Sequence, residues 1–441
     1  MSPYPHPVFI SRSNLTAILR DYDAFVQRLE KLNILEAYTL KPLLDGKAVA
    51  KALSATPGPW MKDALDVIMA WQLRNPDGKS AEEAIEEVRN SGLHGELTTD
   101  LISHFLRLTI RPFFLQNQHP AVTAQGRKVT TTVLPKKIEL EKSDEEAKPW
   151  KSRESYAIDL LQWVVQNLDE ESIERQWPLL VPPILSITDD IDTVFKAKGC
   201  AMLEILLKST PPALLARTGL GQVFEEAIMP CLGYLPTLTP EKESIDLLMR
   251  AYPALIALSR TASPESPPAG SRKTAKDLGS ERIAFLDTVL RKGIFGAYGH
   301  CSENVKITEA LMKNFCLVNT ELGIESVKHL KHTLPMLSEV LSQPFGSAYP
   351  PLLIAALQAL QNVIVNGWPR IATNKGELLN GLTLCWLQSD DVQGHEKLRI
   401  RQESKTVIHM LRTVDRGEGL IEEDFRMLMN ADSRLEGLFD T

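Results

Sequence analysis

The feature that most constrains this chain is a run of prolines set into helical periodicity between Trp177 and Arg260. Pro182-Pro183, Pro211-Pro212 and Pro240 each stand at the head of an apolar-periodic segment, and their first members, at 182, 211 and 240, fall at an even step of 29 residues. Proline suits a first helical turn, where its missing N–H has no intrahelical partner to lose. Within the segments, Val223, Phe224, Ala227, Ile228, Cys231 and Leu232 repeat as one helix face does, and Ile245, Leu248, Tyr252, Leu255 and Ile256 form a second stripe. Thr239-Pro240-Glu241 reads as a helix start, with a capping hydroxyl, proline at the first position and an acid near the positive dipole end. Consecutive amphipathic helices joined by short proline turns predict an all-α chain, a HEAT/armadillo-like α-solenoid in preference to the alternative of a compact bundle. A step of 29 residues is shorter than the usual ~40 of such repeats, so the repeat is expected to be irregular.

Bulk properties narrow the function classes. The chain has 441 residues, 44% hydrophobic and 24% charged, which is ordinary for a soluble globular protein of one to three domains. The net charge of −7 argues against a surface given over wholly to nucleic acid. No run of apolar residues is long enough for a membrane span, and Met1-Ser-Pro-Tyr-Pro-His-Pro lacks a signal pattern. Five scattered cysteines, Cys200, Cys231, Cys301, Cys316 and Cys385, never in CxxC spacing, are expected to be buried thiols of a reducing compartment. A cytoplasmic and nuclear location follows as the expectation.

No catalytic constellation is legible. There is no P-loop, nucleophile elbow or His-Glu-x-x-His. His329 and His332 lie three apart on one predicted helix, but no third ligand stands at metal spacing. Asp189, Asp190 and Asp192 follow a helix end without the glycine-centred loop of a calcium site, and are expected to cap the next helix or pair with Lys196 and Lys198. The chain is therefore expected to be no enzyme, with no cofactor and no metal.

Five segments are predicted. Residues 1–95 form a small helical unit: Ile18, Tyr22, Phe25, Val26 and Leu29 line one face, Asp45-Gly46 reads as a turn, and Trp60, Ala64, Val67, Ile68 and Trp71 share a side of the next helix. Ser80-Ala-Glu-Glu83 reads as a capping box. Residues 96–149 hold one apolar helix, Leu101 to Phe114, which either closes the first unit or opens the second, and then a charged flexible linker. Two readings are open for that linker, a solvated spacer and a docking peptide that orders on a partner; Ser143-Asp-Glu-Glu146 within it fits an acidophilic kinase. Residues 150–260 form a first solenoid block, 261–280 a flexible Pro/Ser/Gly loop, and 281–441 a second solenoid block with a charged capping end. Gly367-Trp-Pro369 is expected to end the helix that begins at Pro350.

Two resemblances add to this reading. Trp177-Pro-Leu-Leu-Val-Pro-Pro-Ile-Leu, Asp189-Asp190, Lys196-Ala-Lys-Gly-Cys200, Arg217-Thr-Gly219 and Leu235-Pro-Thr-Leu-Thr-Pro240 resemble the TEL-two-interacting protein two family over about residues 145 to 430. That resemblance implies a scaffold subunit of the Triple T cochaperone complex. Its implied partners are the two larger Triple T subunits, the phosphatidylinositol-kinase-related kinases of TOR, ATM and ATR type, and the heat-shock-ninety chaperone machinery. The expected partner interface lies on Trp177, Asp189, Asp190, Lys196, Lys198 and Arg217, residues that packing alone would also explain.

The second resemblance lies in residues 13 to 90. Lys41-Pro-Leu-Leu-Asp-Gly46, Pro57-Gly-Pro-Trp60, Ala64-Leu-Asp66 and Trp71-Gln-Leu-Arg-Asn-Pro76 are similar to the C-terminal tail of eukaryotic CCA-adding tRNA nucleotidyltransferases. In those enzymes the tail helps hold tRNA, while a head with a Gly-Ser motif and an Asp-x-Asp metal pair does the chemistry. No such head is present here: Asp21-Tyr-Asp23 has the spacing without the glycine-serine partner. The resemblance implies a fused, non-catalytic remnant or two merged reading frames. Lys31, Lys41, Lys47, Lys51 and Lys62 would supply at most a weak, salt-dependent tRNA contact.

Overall fold

A computed structural model of the chain describes residues 23–24, 27–28, 31, 41–53, 60–75, 80–90, 93–114, 119–129, 148–152, 154–266, 274–414 and 420–440. The predicted face from Ile18 to Leu29, the Asp21-Tyr-Asp23 motif as a unit, and Ser143-Asp-Glu-Glu146 lie outside those residues. The described residues are all-α and solenoid-like, with no strand among them. One isolated antiparallel bridge joins Val122 to Lys128. No described helix is long and apolar enough to cross a membrane. The chain divides into two compact units at His104 and Phe105.

The first unit contains helices α1 (Gly46–Ala52), α2 (Trp60–Arg74), α3 (Ala81–Asn90) and α4 (Leu93–His104). Asp45 is not part of a turn. Its carboxylate accepts from Ala48 N at 2.7 Å and caps α1, so Gly46 becomes the first helical residue. Ser80 Oγ likewise accepts from Glu83 N at 3.3 Å at the head of α3. The predicted stripe of α2 packs inward: Ala64, Ile68 and Trp71 meet Val49, Ala84 and Val88 in one small core. Gln72 ties the approach to α1 onto α2 by accepting from Leu43 N at 2.9 Å.

The second unit begins with a π-helical turn, Phe105–Ile110, and its main helices are α5 (Tyr156–Gln166), α6 (Glu170–Thr188), α7 (Thr193–Lys208), α8 (Glu241–Ala262), α9 (Ala275–Thr288), α10 (Val305–Leu322), α11 (Leu330–Ser342), α12 (Pro350–Ile371), α13 (Lys375–Gln388), α14 (Gly394–Val414) and α15 (Leu420–Ala431). Shorter helices, Pro212–Thr218 and Gly221–Ile228, lie between α7 and α8. Helices α7, α8, α10, α12 and α14 pack in that order, each on the next. Contacts at matching depth show that the five run parallel. Near their N-termini, Thr193 of α7 bonds Glu243 of α8. Asn304 Nδ2 and Lys306 Nζ reach Glu241 of α8 at 3.1 and 2.8 Å. Tyr349, just before α12, reaches Glu309 of α10 at 2.7 Å. Gln358 of α12 meets Glu403 of α14 at 3.1 Å. A parallel row of this kind, with the intervening helices layered against it, is the arrangement of an α-solenoid.

Helix boundaries depart from the expectation at prolines. Pro182-Pro183 do not open a helix; with Pro178 they lie inside α6, which starts after Asp169, whose carboxylate accepts from Ser172 N at 2.8 Å. A true cap outcompetes an interior proline as a start signal, and burial of Leu180, Val181, Ile184 and Leu185 holds the turn that the prolines weaken. Pro240 sits at the N-cap of α8, one position earlier than predicted, and no side chain caps that helix. Pro369 does not stop α12, which runs on to Ile371. The expected loop 261–280 is shorter at both ends, because α8 reaches Ala262 and a capping box between Thr274 and Asp277 starts α9.

The ring contacts settle the ownership of the helix near 101–114. Phe105 packs edge-on to Trp163, Phe113 on Tyr156, and Phe114 stacks on Trp150 at 5.5 Å, so residues 105–114 open the second unit, while 101–104 end α4 of the first. Residues 119–129, read above as the start of a linker, instead form a packed strap. Lys128 N donates to Thr218 O at 3.0 Å, and Trp177 Nε1 donates to Gly126 O at 3.0 Å. Gly126 has φ +67°, and a Cβ there would lie 2.9 Å from the Trp177 ring, so both conformation and space require glycine.

Candidate functional site

The turn 189–192, between α6 and α7, holds two of the six residues expected to form an interface, Asp189 and Asp190, and it is built as a structural knot. Asp190 is buried and accepts from Lys148 Nζ at 2.6 Å and Lys151 Nζ at 2.7 Å, both from outside the predicted pairing. Burial pushes the Asp190 carboxyl up, but the two ammonium groups and the Asp192 N–H more than offset it, and its pKa lies below the ordinary carboxylate value. Asp192 caps α7 by accepting from Val194 N at 2.9 Å. Asp189 is exposed and meets His119 of the strap at 2.5 Å.

The predicted pairing of these acids with Lys196 and Lys198 does not occur. Lys196 is buried; its ammonium donates to Thr188 O at 3.2 Å and lies 5.3 Å from the Tyr234 ring centre. That carbonyl belongs to the last turn of α6, where the helix dipole favours a cation. Lys198 points to solvent and reaches Asp159 of α5 at 3.7 Å. Arg217 is exposed and pairs with Glu174 of α6 at 2.6 Å. Trp177 is buried edge-on to Phe224, besides its bond to the strap. Gly199 lets α7 cross α6 closely: a Cβ there would sit 2.7 Å from Thr188 Cα.

The six residues thus separate. Trp177, Asp190 and Lys196 are interior and hold the strap, the helical turn 149–152 and helices α6 and α7 together. Asp189, Lys198 and Arg217 reach solvent, and they do not share one patch of mutual contacts. Lys198 lines a groove of about 560 Å³ with Gln162, Glu204, Glu243, Asp246 and Arg250 on α5, α7 and α8, a mixed-charge surface. A more apolar groove of about 630 Å³ lies nearby, lined by Leu215, Leu258, Leu278 and Phe285.

The candidate metal pair resolves into packing. His329 is buried and its Nε2 lies 2.8 Å from Asp287, and both His329 and His332 tilt against Phe295. No group of three or more potential metal ligands occurs among the described residues. Four cysteines are buried and Cys316 is half-buried; Cys200 and Cys231 face each other at 4.0 Å.

Periodicity did not reveal two further acid hubs. Glu321 at the end of α10 binds Arg260 of α8 and Arg282 of α9. Asp287 binds Lys328 at 2.6 Å and His329. In both, burial raises the carboxyl and the cations more than offset it, leaving the pKa lowered. Their partners lie 39 to 61 residues away along the chain, a separation at which spacing carries no signal.

A model of the Tti2 family matches residues 71–348, well over half of the chain. The chain belongs to the Tti2 family. That membership implies a subunit of the Triple T complex, working with other subunits and by binding. The match starts earlier than the resemblance from 145 and ends earlier than 430. It takes in α3, α4 and the strap, and its first residue is Trp71 in α2.

The N-terminal resemblance is matched by short stretches of curated proteins. The chain is 53% identical over 68 residues to nucleotidyltransferase lcsQ of Purpureocillium lilacinum, 15% of this chain and 11% of that protein. It is 33% identical over 75 residues to the mitochondrial CCA tRNA nucleotidyltransferase of Candida glabrata, 17% of this chain and 14% of that protein. It is 42% identical over 53 residues to tRNA nucleotidyltransferase cca2 of Schizosaccharomyces pombe, 12% of this chain and 11% of that protein. The chain therefore spans only a small fraction of the length of these relatives. No solved structure matches.

Proposed function

We propose that the chain is the non-catalytic scaffold of the Triple T cochaperone complex, which supports maturation and stability of phosphatidylinositol-kinase-related kinases of TOR, ATM and ATR type together with the heat-shock-ninety chaperone, in cytoplasm and nucleus. The observation that carries this reading is the Tti2-family match across the first unit's end and most of the solenoid. The architecture supports it: a parallel row of helices offers an extended surface for partner proteins. The test is depletion of the chain in its own cells, followed by immunoblots of the giant kinases. The reading predicts a fall in their steady-state levels with unchanged messenger RNA. Unchanged kinase levels would contradict it.

A second reading attaches to the first unit alone, because the matches to CCA-adding enzymes favour it. There the unit keeps a weak tRNA contact through Lys31, Lys41, Lys47, Lys51 and Lys62, all exposed. A mobility-shift titration of the full chain with tRNA, repeated at two salt concentrations, tests this. Binding that weakens steeply with salt supports it, and no shift at low salt removes it.

A further inference from the structure

The three most exposed large apolar side chains among the described residues are Leu238 at 95%, Phe345 at 84% and Ile191 at 82%. All three lie on one kind of segment: the connections that lead into the parallel row of helices. Those connections are residues 189–192 before α7, 234–240 before α8, 302–304 before α10, 343–349 before α12 and 389–393 before α14. Because the five helices are parallel, their leading connections fall on one edge of the solenoid. Contacts at or beside successive connections support this. Lys196 beside the first lies over Tyr234 of the second. Cys301 Sγ, at the start of the third, donates to Pro236 O of the second at 3.5 Å. Tyr349 of the fourth reaches Glu309 in the helix that follows the third. Gln388 before the fifth donates to Ser342 O before the fourth at 3.2 Å.

The connections carry acids and no cations of their own. The five connections hold Asp189, Asp190, Asp192, Glu303, Asp390 and Asp391, and no Lys or Arg. Asp190 is neutralised by its two lysines, and Asp390 by Arg401 and Lys397. Glu303 and Asp391 are exposed and form no ion pair among the described residues. Isolated exposed apolar residues are ordinary. Three of this exposure, repeated on one edge and interleaved with unpaired acids, match the anchors and charged surround of a protein-docking strip. With helices 8–10 Å apart, Ile191 and Phe345 are separated by about 30 Å, the length of a helix of about 20 residues.

We infer that this edge docks a cationic segment of a larger Triple T subunit, with apolar anchors seated on Ile191, Leu238 and Phe345 and Lys or Arg side chains facing Glu303 and Asp391. The two unpaired acids repel phosphate, which favours a cationic protein segment over a nucleic acid as the occupant. The inference rests on the Triple T reading and specifies which edge of the chain that complex uses.

The experiment uses the purified full chain and the two purified larger subunits, with affinity read by biolayer interferometry and chain size by light scattering. Two variants are compared with the wild type: I191S/L238S/F345S and E303K/D391K. All five positions are exposed, so helicity and melting temperature are expected to stay unchanged in both. The inference predicts at least about 100-fold weaker binding for the triple variant. It predicts about 10-fold weaker binding for the double variant, with a reduced response to salt. Wild-type binding that neither variant weakens would overturn the edge and leave the Triple T reading standing. No wild-type binding to either subunit would overturn both. Wild-type self-association that the triple variant abolishes would also overturn the inference, because the occupant would then be a second copy of this chain.

Discussion

The knot at 189–192 and the leading edge of the solenoid share a turn but do opposite work. In the knot, Asp190 and Lys196 are buried and face inward. Next to Asp190 in the chain, Ile191 stands almost fully in solvent. The residues that most distinguish the stretch in sequence are those that pack, and the residue left free to meet a partner is an isoleucine that no chemical motif marks. If the edge docks a partner as inferred, a recognisable segment and a binding segment are the same four residues, with the side chains divided between interior and exterior.

That contrast predicts effects of very different size. The largest is Trp177→Ala. It removes a buried indole, leaves a cavity against Phe224, and frees Gly126 O, for a loss of about 3–5 kcal/mol in denaturant unfolding. Next is Asp190→Ala. Lys148 and Lys151 keep some access to water, so they are not fully stranded, and the loss is about 1–3 kcal/mol. A loss below 0.5 kcal/mol, on the order of an ordinary surface substitution, would mean the knot does not hold the strap.

Acid should expose the same device. Asp190, Asp287 and Glu321 have folded pKa values below their ordinary ones. Each therefore contributes stability that is present above the unfolded carboxylate range near ~4 and is lost as pH falls through the folded value. Melting temperature should drop between about pH 5 and pH 3, and Asp190→Asn combined with Glu321→Gln should flatten that drop. An unchanged slope in the double variant would show that other carboxylates dominate. The smallest effect belongs to Arg217→Ala and Lys198→Ala. Their ion pairs are on the surface, so each should change stability by less than ~1 kcal/mol. The leading-edge account also predicts that they leave partner affinity unchanged.

Local chemistry made much of this legible. Stripes such as Val223 to Leu232 and Ile245 to Ile256 declared the helices, because one buried face imposes a 3.6-residue period on the residues themselves. What failed was of two kinds. Prolines at 182, 183 and 369 read as boundaries, because local preference opposes them inside a helix, while tertiary burial holds them there. The strap read as a linker, because its ties are to Trp177, Thr218 and Asp189, dozens of residues away, and its own sequence carries no period. The same holds for the candidate site. The residues were found, but which of them face inward depends on how α6 crosses α7 at Gly199, and no spacing encodes that.

The measurement that bears most directly on the central claim is purification of the tagged full chain from its own cells, with mass spectrometry of what accompanies it. Recovery of the two larger Triple T subunits together with a giant kinase is the predicted result. Recovery of tRNA and tRNA-processing enzymes without those subunits would contradict it, and would assign the function to the first unit instead of the solenoid.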